Sequence, residues 1–175
     1  MIKTLTVTET WCMKKLFPLI LIFLISMSCN QEKEVDLEQA RRAILKLHNA
    51  QRDYHFNKDS IGFASQFSDN FKGIGNGSIS SSTKEERISR YNRYFSAVEF
   101  IKWDDVSEPI IRFSDDATMA YALVDKIVVL SYKNQEGNTT QEETHFAWTA
   151  IYRKYDDEWK IESVTSTKKP AMTEE

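Results

Sequence analysis

From Ile151 to Ile161 the chain reads IYRKYDDEWKI. Ile151, Tyr152 and Tyr155 flank Arg153 and Lys154, three acidic residues follow, and Trp159 and Ile161 then alternate with Lys160. Because successive strand side chains point to opposite faces, the spacing predicts a strand, a turn at Asp156-Asp157-Glu158 and a returning strand. Upstream, Phe146, Trp148, Ala150 and Tyr152 share one face; downstream, Ser163 and Thr165 extend the face of Trp159 and Ile161.

The same β-branched and aromatic texture reaches back to Val98 and predicts strands near 98–103, 108–113, 118–133, 141–155 and 159–167. Turns fall at Ser114-Asp115-Asp116 and at Asn134 to Asn138 around Gly137. Before Val98 the periodicity is helical. Asp36 caps a first helix with Gln39 three residues on, and Leu37, Ala40, Ile44, Leu47, Gln51 and Tyr54 form its apolar stripe, with His48 and His55 at the edge. That helix ends near Asn57, and Asp59 caps a shorter one through Phe67. Phe71 to Gly77 reads as a short extended piece and a turn, and Ser78 to Ser82 as a loop. Gly73, Gly75 and Gly77 lack the flanking strand and helix of a phosphate-cradling loop. Thr83-Lys84-Glu85-Glu86 is a capping box that opens a third helix, with Ile88, Tyr91 and Phe95 on one face. Three helices followed by a meander of long strands make an α+β fold, the helices packed on one face of an antiparallel sheet.

In order and spacing, these helices with FSDNFKGIGNGS, DDATMAYALVDKIVV and HFAWTAIYRKYDDEWKIESV resemble the NTF2-like superfamily, in its SnoaL-like or DUF4440-like branch. The likeness covers about residues 37–167. It implies a strongly curved sheet around a helix-lined cone, and a homodimer. It implies no single activity, because the superfamily holds isomerases, cyclases, dehydratases and proteins that only bind.

On the long strand Tyr121, Leu123, Asp125, Ile127 and Val129 share a face. If the following hairpin turns on Glu136-Gly137, Asp125 stands opposite Trp148. Tyr121, Trp148, Tyr152, Ser163 and Thr165 are then candidate ligand-binding residues on the concave side, with Lys126, His145, Arg153, Lys160 and Glu162 behind the sheet. A one-residue slip would invert the pairing. Asp125 amid aromatics would have a raised pKa and could serve as a general base, or it simply bonds a tyrosine or lies at the solvated mouth. Tyr54 and His55, at the end of the first helix, are candidate acid–base partners; a histidine there is also an ordinary packing residue. The three histidines show no metal-ligand spacing, and no metal or cofactor is expected.

Near the start, Met13 to Glu34 reads MKKLFPLILIFLISMSCNQEKE. Lys14 and Lys15 precede an apolar run, Leu16 to Met27, that as a helix reaches only about 18 Å, short of the roughly 30 Å hydrocarbon core. Small residues follow, then Cys29, so Lys14 to Cys29 resembles a bacterial lipoprotein signal, although Ser26 stands where leucine is common. The resemblance implies residues 1–29 as signal peptide with lipid on Cys29, 30–36 as a polar tether, 37–167 as the domain and 168–175 as a frayed tail. The protein would then be exported to the cell envelope and held at a membrane surface by its lipid. Met13 is an alternative start.

Removing residues 1–29 takes away Lys3, Lys14, Lys15 and Glu9, and the net charge moves from −3 to −5. Without a cationic footprint, nucleic acid is not an expected partner. With only Cys12 and Cys29 there is no disulfide scaffold and no cysteine metal site. Two readings of function stand: a membrane-anchored domain holding a small, partly apolar ligand or a protein partner in its cone, or a proton-transfer enzyme with Asp125 as base. A cone filled by its own side chains, serving as an interaction module, is a third.

Overall fold

Each expected helix begins at the cap its sequence supplies. The computed structural model describes residues 36–169, so the signal and lipid-attachment readings, Cys29 included, lie outside the described residues. Helix α1 (Leu37–Phe56) is capped by Asp36, whose carboxylate accepts from the Gln39 N–H. Helix α2 (Ser60–Ser65) is capped by Asp59, and α3 (Lys84–Ala97) opens on the full Thr83–Glu86 capping box. No helix among the described residues is long and apolar enough to cross a membrane.

Between α2 and α3, Phe67–Gly75 (β1) and Ser78–Ser81 (β2) form a hairpin. Asn76 and Gly77 both have positive φ, 50° and 74°. This two-residue turn matches strand twist and favours Asn-Gly, so the serines expected in a loop continue as a strand. Then come β3 (Glu99–Asp105), β4 (Ile110–Phe113), β5 (Met119–Lys133), β6 (Thr139–Tyr155) and β7 (Glu158–Lys168). The strand order is β2-β1-β7-β6-β5-β3, with β4 also paired to β5. The sheet is mixed rather than wholly antiparallel, because β1 lies parallel to β7. These two strands are not joined by a hairpin, so nothing forces them antiparallel.

The register of β5 on β6 differs by one residue from the expected one. Asn134 Oδ1 accepts from the N–H groups of Glu136 and Asn138, which closes a five-residue loop with Lys133 facing Thr139. Val124, not Asp125, therefore stands opposite Trp148. Ala120, Ala122, Val124, Lys126 and Val128 are buried on the helix-covered face, and Tyr121, Leu123 and Asp125 are exposed on the other. A second irregularity sits on β7: Tyr152 pairs with Ile161 but Ile151 with Ser163, so Glu162 is a bulge. Beyond it the faces exchange, turning Val164 and Ser166 inward.

The histidines expected at the edge of the α1 stripe lie at its centre: Ala40, Ile44, His48, Gln51 and His55 are its buried residues. His55 is 2% exposed, stacked on Trp103 at 3.6 Å between ring centres, with Phe63, Phe95 and Phe100 around it. Its Nδ1–H donates to the Gln51 carbonyl at 2.6 Å. Burial, partly opposed by that bond and assisted by nearby Lys126, lowers its pKa from 6.5 to about 4. His48 Nε2 lies 2.8 Å from Asp105 Oδ2, and the buried Lys126 ammonium lies 2.5 Å from Asp105 Oδ1. One carboxylate thus joins α1, β3 and β5. Burial alone would raise the Asp105 pKa, but the bonds and charges of His48 and Lys126 outweigh it and hold it below the usual range. Arg41 to the Ile111 carbonyl and Arg52 to Asp104 tie the same helix along β4 and β3.

Two outcomes follow from these buried groups. The unfolded chain protonates His55 near pH 6.5 and the folded one only near pH 4, so its neutral state favours folding above pH 6.5 and progressively less as pH falls. Urea unfolding at pH 7 and pH 4.5 should show about 2 to 3 kcal/mol more loss for the native chain than for His55→Phe. Asp105→Asn leaves Lys126 buried without its anion and should cost about 3 kcal/mol, of which Lys126→Met in the same chain restores most; paired denaturation curves measure both.

Candidate functional site

Where the helices leave the sheet uncovered, a cavity of about 460 Å³ opens between α1–α3 and strands β1, β2, β3, β6 and β7. Each wall follows from a local feature. β1 contributes Phe67 and Phe71, and the tight Asn76-Gly77 turn brings Ser78 and Ser80 beside Gly73 and Ile74. α3 contributes Arg90 and Tyr91, β3 Trp103, and β6 Trp148 and Ala150. The β7 bulge supplies Ile161 from before it and Val164 and Ser166 from after it. Gln51, buried on α1, supplies an amide.

The eighteen lining residues include one charged side chain, Arg90, and neither a carboxylate nor an imidazole. The Tyr91 phenol accepts a long 3.5 Å bond from Arg90, and burial raises its pKa, so it stays protonated at neutral pH. Ser78 and Ser80 donate to the carbonyls of Gly75 and Gly73. An aromatic chamber with scattered hydroxyl and amide groups can orient a ligand by shape and a few polar contacts.

Trp103 divides this chamber from two others. On its far side a 210 Å³ pocket holds His48, Arg52, Asp104, Asp105 and Lys126. Lys126 Nζ stands 5.5 Å from the Trp103 ring and 5.9 Å from that of Trp148, so both indoles lie within reach of a cation. Trp103, Trp148 and Ser166 also border a 340 Å³ cavity that reaches Tyr94, Glu142 and Lys168. Glu142 there is exposed and accepts from the hydroxyls of Tyr132 and Thr144.

Of the residues expected to form the site, the structure brings only Trp148 to the chamber wall. Tyr152 shares its face but is wholly buried in the core, where its hydroxyl finds no partner among the described residues. Asp125 and Tyr121 lie on the outer face because of the one-residue register difference. Asp125 borders a shallow outer groove with Ile110, Leu123, Thr149 and Thr165. The bulge at Glu162 places Thr165 there too, beside Thr149, and pairs Ser163 with outward-facing Ile151. Tyr54 packs over Gly62, where an added Cβ would meet its ring at 2.5 Å, and does not reach the chamber. His55 is the core histidine described above and does not line the chamber; its contacts are Phe63, Phe95, Phe100 and Trp103. No group of metal-ligating side chains occurs among the described residues. Arg90, Tyr91, Gln51 and Trp103 were not expected at the site. The α1 stripe did contain Gln51, a polar residue on an apolar face, and that was the available signal.

No protein-family model matches the chain, and no curated protein does. Solved structures do. The chain is similar to an NTF2-like protein from Cytophaga hutchinsonii, with a TM-score of 0.57 and 19% identity over 73% of this chain and 96% of that one. It is similar to a ketosteroid isomerase-like protein from Erwinia carotovora atroseptica, with a TM-score of 0.58 and 17% identity over 74% and 96%. A hexachlorocyclohexane dehydrochlorinase gives a TM-score of 0.61 and 17% identity over 77% and 89%. At these identities the likeness is one of fold, and the fold of this chain is that of the NTF2-like proteins.

Proposed function

We propose that this protein is a binding domain that holds a small, partly apolar molecule in the aromatic chamber of its cone. One observation carries the reading: the chamber walls offer apolar area and hydrogen-bonding groups but no side chain able to accept a proton at neutral pH. Arg90 carries donors and no acceptor atom and Tyr91 is held neutral, so neither is a general base. The proton-transfer reading, with Asp125 as base, would require catalysis from the outer face, away from the enclosed space that excludes water. That solved structures of like fold include a dehydrochlorinase and an isomerase-like protein leaves the chemistry of this chain to its own residues.

In the same proposal, lipid on Cys29 tethers the domain to a membrane of the cell envelope. Cys29→Ser should abolish incorporation of labelled fatty acid and release the chain from the membrane fraction.

The binding reading is tested on the full chain isolated from its own cells. Its native mass spectrum should contain a species carrying extra small-molecule mass. Val164→Trp, which fills the chamber, should remove that species and reduce uptake of an added apolar probe such as anilinonaphthalene sulfonate at least ten-fold. An empty chain that also fails to take up the probe sinks the reading.

A further inference from the structure

Two cations of α3 stand at or beside the chamber, neither in an ion pair, although the exposed Glu85 carboxylate lies within coulombic reach of Arg87. Arg90 lines it and is exposed on its outer side. Arg87, one turn earlier, is wholly buried, its guanidinium 5.9 and 5.8 Å from the rings of Phe67 and Phe71, both chamber walls. Arg87 donates only to neutral oxygens, the carbonyls of Ser82 and Ser68. Arg90 donates to the Tyr91 hydroxyl, its guanidinium 5.1 Å from that ring. Among the described residues neither makes an ion pair with a carboxylate. This is unusual company for two arginines in a chain of net charge −3 with 26 acidic residues.

Resting on the binding reading, we infer that the ligand is a small carboxylic acid with an apolar body, its carboxylate on Arg90 and its body against Phe67, Phe71, Trp148 and Val164. Three physical points converge. A guanidinium presents a planar fork that fits a carboxylate with two parallel bonds. The Arg87 guanidinium has no buried counter-ion, so it adds a positive potential to the chamber that only the exposed Glu85 carboxylate moderates. The walls carry no acid that would compete for Arg90 or repel an anionic ligand. Cationic ligands meet the same field with the opposite sign, and a neutral ligand leaves the fork to water.

Octanoate and 1-octanol, equal in chain length, separate head-group recognition from chamber filling. Titration calorimetry on the full chain should show octanoate binding at least ten-fold more tightly than octanol. The advantage should shrink as salt is raised. Arg90→Gln, an exposed substitution whose folding circular dichroism checks, should bring octanoate down to the octanol level measured on the same variant. Arg90→Lys should keep part of the advantage, having charge without the fork. Octanol binding with no preference for octanoate, or a preference that survives Arg90→Gln, overturns the carboxylate inference and leaves the binding chamber standing. If neither compound binds, chamber and inference fall together.

Discussion

The register of β5 against β6 is the constraint on which the other arrangements depend. Fifteen consecutive pairs run without a break from Met119–Arg153 to Lys133–Thr139, and the five-residue loop at Asn134 sets all of them. With side chains alternating at every residue, that loop decides which half of β5 faces the helices. It brings three small or branched residues, Ala120, Ala122 and Val124, under the helices and sends Tyr121, Leu123 and Asp125 outward. It also carries Lys126 inward, which is tolerable only because Asp105 waits on the neighbouring strand.

From that placement follows a division of the interior by chemistry. Trp103 is stacked on His55 on one hand and close to Lys126 on the other, and its ring borders both the aromatic chamber and the ionic pocket. Buried charge is costly unless paired, and behind Trp103 His48, Asp105 and Lys126 pair with one another, while Arg87 is buried elsewhere against the Ser68 and Ser82 carbonyls. The compartment beside it is free to be apolar. Its single cationic wall residue is then conspicuous to any ligand that enters.

Local signals in the sequence were sufficient for the three helices and for β3 to β7, though not for the β1–β2 hairpin, whose serines read as a loop. Asp36, Asp59 and Thr83 each start a helix through their own side chains, and the acidic turn at Asp156 starts the last strand. These interactions span three or four residues, and sequence spacing reports them directly. What decided the site spans more. Reading the hairpin as turning on Glu136-Gly137 is reasonable for a glycine with positive φ, but the Asn134 side chain claims two backbone donors and sets an odd loop length. The Glu162 bulge is similarly silent in the alternation of Trp159, Ile161, Ser163 and Thr165. One residue at each place exchanged candidate ligand contacts for outward-facing ones. The face of Phe146, Trp148, Ala150 and Tyr152 was legible because it depends on a single strand's own alternation, not on a neighbour's register.

The parallel pairing of β1 with β7 has a consequence in time. Ile74 pairs with Thr165 across about ninety residues of chain, while the only other partner of β1 is the four-residue β2. Closing so long a loop has an entropic cost that must be met before the pairing's contacts form, a feature of non-local strand pairing that slows folding. The chamber has Phe67, Phe71 and Ile74 on one of these strands and Ile161, Val164 and Ser166 on the other. It cannot exist in a chain whose strand β7 has yet to emerge: its walls come together only after β1 to β6 have been made.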